Sequence, residues 1–194
     1  LGQVGDQGEF SGSNGSGQVV DCIKQGKIFL HKINLEEGSI NLHDTLKLSV
    51  APMMRSDAAS NHSATHLMHA ALKHVLGHHV EQKGSLVDSS KLRFDFSHPK
   101  AVTKDELKQI ELLVNQQTLS NAEVKTELMQ LDDAIASGAE AMFGEKYEDE
   151  VRVLSMGDGF SVELCGGTHV SRTGDIGMFT ILSESSVSSG VRRI

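Results

Sequence analysis

Tryptophan is missing from this 194-residue chain, and tyrosine occurs once. Aromatic platforms on which single-stranded bases stack are thereby nearly excluded. Two cysteines cannot build a disulfide framework, which points to a reduced, intracellular setting, the cytoplasm. No apolar run approaches the ~20 residues that span a bilayer, so no membrane partner is expected. A secretory leader is not visible, and a starting methionine is lacking. The opening on Leu1-Gly2-Gln3 suggests a piece of a longer protein, with processing as the alternative.

What is present suffices for a packed core: 38% of residues are hydrophobic, and the length fits one large domain or two small ones. The formal charge of −8 argues at first against a nucleic-acid partner. Its distribution softens that. Residues 103–150 hold twelve acids and four lysines, so the rest of the chain is neutral and has room for a local basic patch.

The first 56 residues are rich in Gly and Ser, with short apolar stretches at Val19–Ile23, Lys27–Ile33 and Thr45–Val50 that predict strands. This spacing suits a small β-barrel-like module over 1–56. The glycines of Gly2-Gln3-Val4-Gly5-Asp6-Gln7-Gly8 lack the Lys-Ser/Thr of a phosphate loop and read as turns. Cys22 lies in an apolar run and is expected to be a buried hydrophobe. A helix is predicted over Ala58–Leu76, capped by Ser56-Asp57 and ended by Gly77. Ala64, Leu67, Met68, Ala71, Leu72 and Val75 share one face; His62, His66, His69 and Lys73 share the other, turned outward or into a cleft. Strands follow at Val80–Val87 and Lys91–Ser97. A capping box at Thr103/Glu106 starts a second helix to about Asn121. Further strands are expected at Val124–Met129, Val151–Met156, Gly159–Leu164 and Ile176–Ser183, with a short acidic helix at Leu131–Gly138. The fold class is α+β, with residues 57–194 forming a second unit whose mixed or antiparallel sheet packs on helices.

Two motifs carry chemistry. His62-x3-His66 places two imidazoles on one side of a helix, and Cys165-Gly-Gly-Thr-His169 brings a thiolate and an imidazole together across a glycine turn. Together they have the ligand types and number of a zinc site. Two unrelated polar clusters are the alternative. Ser63 stands where a zinc protease needs Glu, which removes that class. Four protein ligands leave no open position, and neither pair has an adjacent carboxylate, so no general base is evident.

Asn61–Leu72, Gln82-Lys83-Gly84-Ser85-Leu86-Val87, Leu92-Arg93-Phe94-Asp95-Phe96 and Glu163–His169 resemble the editing domain of bacterial-type alanyl-tRNA synthetases, as do Gly2–Gly8 and Phe143–Tyr147. The resemblance covers essentially the whole chain. It implies a zinc-dependent aminoacyl-tRNA deacylase that hydrolyses Ser-tRNA(Ala) and Gly-tRNA(Ala). A pocket that admits alanine rejects glycine and serine poorly, so a second site must clear the errors. By the resemblance, Zn2+ is held by His62, His66, Cys165 and His169. Gln82 contacts the aminoacyl group or the attacking water; Thr65, Ser85, Gly166 and Gly167 line the pocket. The basic candidates for the acceptor end of tRNA(Ala) are Lys83, Arg93, Arg172, Arg192 and Arg193, for which a solvated charged surface is the plain alternative. The resemblance also implies the aminoacylation domain of a parent synthetase as partner, the fragment itself being monomeric. Two other readings stand beside it: a free-standing trans-editing deacylase, and a non-catalytic zinc-stabilised tRNA-binding module.

Overall fold

The computed structural model describes residues 2–141 and 147–194. Leu1 and the Phe143–Lys146 part of the matched loop lie outside the described residues. Strands β1 (Gly8–Ser11), β2 (Gly15–Gln25), β3 (Ile28–Gly38) and β4 (Lys47–Val50) form a sheet in the order β3-β2-β1-β4. The expected barrel is an open antiparallel sheet, and β3 is exposed along its whole length. Cys22 is half-buried on β2 rather than in a core. The segment before β1 crosses this sheet closely. A Cβ on Gly5 would stand 2.0 Å from the Cys22 carbonyl oxygen, so only glycine fits. The same segment continues beside the next sheet, where Val87 N–H donates to the Gly2 carbonyl (2.7 Å) and Val4 N–H to the Val87 carbonyl (3.0 Å).

Helix α1 (Pro52–Leu76) starts earlier than its sequence suggests, and Ser56-Asp57 lie inside it. Pro52 explains this: its fixed φ suits the first helical turn, where its missing N–H costs nothing. Gly77 ends the helix at φ 113°. One face packs Leu67, Met68, Ala71 and Leu72 against Phe94 and Phe96, and against Ile110, Val114, Leu154 and Met156. Burying each of these larger side chains contributes about 1.5–3 kcal/mol.

The phenylalanines sit on β6 (Leu92–Ser97), which pairs with β5 (Gln82–Val87) on one side. Ile110 and Val114 belong to α2 (Lys104–Leu119), which has the capping box Thr103/Glu106 at its start. A third sheet joins β7 (Lys125–Gln130), β8 (Glu150–Met156) and β9 (Ser161–Leu164), with the short helix α3 (Leu131–Ala136) following β7. All pairings within the three sheets are antiparallel, and the α+β class holds.

The last predicted strand is displaced. Residues 177–184 belong to no strand, and Phe179 to Ile181 lie against α2. Side chains of that helix satisfy their backbone instead: Asn115 exchanges two hydrogen bonds with the Phe179 backbone (2.8 and 2.9 Å), and Glu111 accepts from Ile181 N–H (2.8 Å). The strands come later, β10 (Ser185–Ser188) and β11 (Val191–Arg193), completing the sheet order β10-β11-β6-β5.

Candidate metal centre

His62 and His66 lie one turn apart on α1, on the side away from the aliphatic face. Both are buried, so this side of the helix faces a cleft rather than solvent. Cys165 follows β9 directly, and the glycine turn after it returns His169 toward the helix. The four side chains offer ligand atoms that all lie within 4.8 Å of one another. The Cys165 sulfur is 3.6 Å from His62 Nε2 and 3.3 Å from His169 Nε2. Ligands about 2.0–2.3 Å from a tetrahedral zinc stand roughly 3.3–3.7 Å apart, so these separations suit that ion.

The far side of each ring decides which nitrogen faces the centre. His62 Nδ1 donates to Gln3 Oε1 at 2.7 Å, and His66 Nδ1 donates to Glu163 Oε2 at 2.6 Å. Ser63 Oγ gives its proton to the Ala59 carbonyl (2.8 Å), leaving a lone pair for His169 Nδ1 at 3.3 Å. All three imidazoles therefore turn Nε2 inward, the arrangement that outer partners impose on zinc-bound histidines. His66 Nε2 is buried with no hydrogen-bond partner among the described residues. A buried, unsatisfied lone pair is costly unless an ion takes it, so this donor set fits zinc.

Electrostatics agree at Cys165 and His169 and run the other way at His66. Burial alone would raise the Cys165 thiol, but the His169, His62 and His66 rings around it bring it down to about 3, the thiolate range. Burial, reinforced by the neighbouring His62 and His66, lowers His169 to about 4 and keeps it neutral. Burial also works against a charged His66, but the Glu163 carboxylate outweighs it and raises the ring to about 10, so an ion binding at Nε2 must displace a proton there. Glu163 itself is held far below the usual carboxylate range despite its burial, because it faces His66 and His69.

A recess of about 810 Å³ borders His169, Gly167 and Thr168 on the glycine-turn side, and two more lie on the helix side. A crevice of about 10 Å³ is lined by His62, Thr65, His66, His69, Gln82, Ser85, Phe94 and Glu163. A wider pocket of about 300 Å³ shares Gln82, His69 and Glu163 with it and adds Lys73, Glu81 and Glu140. Thr65, Gln82 and Ser85 are thus brought beside the ligand histidines. Thr65 Oγ1 donates to the Asn61 carbonyl (2.8 Å), so it offers its lone pairs to the crevice. Gly167 lies against His62: a Cβ there would stand 2.3 Å from His62 Cε1. Gly166 has open space where a Cβ would go.

The basic candidates are elsewhere; none of the five lines any of these recesses. Arg192 forms a two-pronged ion pair with Glu184 (2.5 and 2.7 Å), and Arg193 another with Asp95 (2.6 and 2.8 Å). Arg172 donates to Asn121, Lys83 donates to Glu81 (2.9 Å), and Arg93 stands 3.8 Å from Asp95. Arg93 and Arg193 line a separate groove of about 450 Å³.

Three residues of the centre were not singled out from the sequence: Gln3, Ser63 as a partner and Glu163, whereas His69 was placed on the ligand face of the helix as a residue flanking the site. Glu163 had a readable signal, since two residues before Cys165 on a strand is the same face of the sheet. Gln3 had none, being about sixty residues from His62.

Comparison with known proteins follows the same lines. Residues 151–194 match the family described as the threonyl and alanyl tRNA synthetase second additional domain. Over 193 residues, all of this chain, the sequence is 58% identical to an alanine–tRNA ligase of Saccharophagus degradans and 56% identical to one of Francisella tularensis subsp. novicida. The chain spans 22% of the length of these curated relatives.

Proposed function

We propose that this chain, matching along its whole length the editing-domain segment of alanine–tRNA ligases, hydrolyses the aminoacyl ester of Ser-tRNA(Ala) and Gly-tRNA(Ala). The observation that carries this reading is the junction of a zinc-type ligand set with a crevice and a pocket that share Gln82. His62, His66, Cys165 and His169 hold Zn2+. When bound, the ion supplies a Lewis acid that polarises an ester carbonyl or holds the substrate in place. The Gln82 amide hydrogen-bonds the aminoacyl group or the attacking water. Thr65 and Ser85 line the crevice, and the wider pocket receives the amino-acid side. Lys83, Arg93, Arg172, Arg192 and Arg193 are the surface cations offered to the acceptor end, each exchanging its present partner for a phosphate.

The test compares hydrolysis of Ser-, Gly- and Ala-tRNA(Ala) by zinc-loaded protein. Cleavage of the first two with Ala-tRNA(Ala) spared is the expected result. The full count of four protein ligands, as in structural zinc sites, favours one other reading, a non-catalytic tRNA-binding module. Intact Ser-tRNA(Ala) at high concentrations of protein that binds tRNA and retains zinc would establish that module instead. Within the deacylase reading, Gln82→Ala slows hydrolysis with zinc retained; equal rates remove Gln82 from the mechanism.

A further inference from the structure

Hydrolysis needs a group that takes a proton from the attacking water, and the four ligand side chains are committed to the metal. Glu163 already accepts from both His66 Nδ1 (2.6 Å) and His69 Nδ1 (3.0 Å). An amide at Gln82 cannot carry a proton, and Lys73 is paired with Glu140 at 2.5 Å. His69 differs from all of these. It is buried, 5% exposed, and with its Nδ1–H given to Glu163 its Nε2 carries a lone pair. That nitrogen has no hydrogen-bond partner among the described residues. The ring lines both the 10 Å³ crevice and the 300 Å³ pocket, beside Gln82 in each. A crevice of about 10 Å³ is close to the space one water fills.

We propose that His69 is the proton carrier of the deacylation, acting through Nε2 on a water seated in that crevice. The inference rests on the deacylase reading and deepens it. The arrangement is a carboxylate–histidine pair: Glu163 fixes the tautomer and ring angle and stabilises the imidazolium that forms, as the acid does in a hydrolase triad. The water gives one proton to His69 Nε2 as its oxygen bonds to the ester carbonyl carbon. When the tetrahedral adduct collapses, the bond from that carbon to the ribose oxygen breaks, and Nε2–H returns the proton to that oxygen. The products are the free amino acid and a tRNA with its terminal hydroxyl restored. No oxidant or further reactant is required. The same carboxylate touches His66 with its other oxygen, so one buried Glu holds a ligand and a proton carrier in a fixed relation.

The test uses the full chain, zinc-loaded, with Ser-tRNA(Ala) in single-turnover assays. His69→Asn leaves an amide to donate to Glu163 and so preserves the buried carboxylate's partner, but it has no atom at the Nε2 position. A loss of about 10²–10⁴-fold in rate is expected. Zinc content should stay at the parent level, and affinity for a non-hydrolysable, amide-linked seryl-tRNA should stay within about threefold, less than the tenfold that 1.4 kcal/mol represents. His69→Ala opens a cavity in which added imidazole should restore the rate in proportion to its concentration, which a structural role would not produce. A His69→Asn rate within about threefold of the parent, or a fall that tracks zinc loss, overturns the assignment while leaving the deacylase reading intact. Failure of imidazole to raise the His69→Ala rate also overturns it. A parent chain that leaves the ester uncleaved overturns both.

Discussion

At Gly167 the chain comes so near His62 that a single added carbon would stand 2.3 Å from the imidazole Cε1. The obstacle is a ring held between Gln3 and the Cys165 sulfur, so it has little room to yield. Gly167→Ala should displace His62 from its position and weaken zinc binding by at least about tenfold, since moving a ligand costs what losing an outer partner costs. Competition against a coloured chelator reads this directly; unchanged affinity would show that the turn relaxes without the ring. Cys165→Ala removes the one soft ligand and should leave the protein without stoichiometric zinc by metal analysis. Full occupancy in that variant would sink the four-ligand site. At this scale the sequence was informative where chemistry repeats at helical spacing. His62 and His66 announced themselves by their four-residue interval and Cys165 and His169 by the glycines between them. Their outer partners did not, because a hydrogen bond across 59 or 97 residues leaves no local pattern.

Among the elements, α2 follows most closely from local rules. Thr103 accepts from Glu106 N–H at 3.3 Å, and Glu106 answers by accepting from Thr103 N–H at 2.7 Å, the two halves of a capping box. Thr103→Ala should cost about 1 kcal/mol, seen as a lower denaturant midpoint with unchanged slope. The Glu106 carboxyl is held below its usual range chiefly by its hydrogen bonds with the Thr103 side chain and backbone. A carboxyl lowered in the folded state contributes stability above its unfolded pKa of 4.5 and loses it as pH falls below that value. The acid-side loss should therefore be shallower in Glu106→Gln than in the parent; identical profiles would mean that the box does not hold in solution. Helix α1 was readable in type and face but not in its start, where Pro52 outweighed the Ser56 cap. The final strand was misplaced for a different reason. An apolar stretch reads as a strand wherever it lies, and the Phe179 and Ile181 backbone takes its hydrogen bonds from helix side chains, for which periodicity has no signature.

The two halves of the molecule meet at Gln3. Sequence composition divides the chain near residue 56, yet the Gly-rich start runs beside β5 and delivers one side chain to the centre. Gln3 Oε1 accepts from His62 Nδ1 and from Thr168 N–H (3.1 Å), and its Nε2 donates to Thr168 Oγ1 at 2.6 Å. One residue thus links His62 on the helix to Thr168 of the glycine turn from outside both. The close approach of Gly5 to Cys22 and the bonds of Gly2 and Val4 to Val87 serve to place it. The segment before β1 thus runs from the N-terminal sheet to the candidate metal centre. Gln3→Ala in the full chain leaves His62 Nδ1 without an acceptor, so zinc affinity should fall about 10–100-fold. Gln3→Glu keeps an acceptor for His62 and for Thr168 N–H, and the Thr168 hydroxyl can turn to donate to it. That variant should hold zinc at least as well as the parent. Both substitutions should leave helix content by circular dichroism unchanged, since Gln3 lies outside every helix. Equal zinc affinity in the Ala and Glu variants would separate the N-terminal segment from the site.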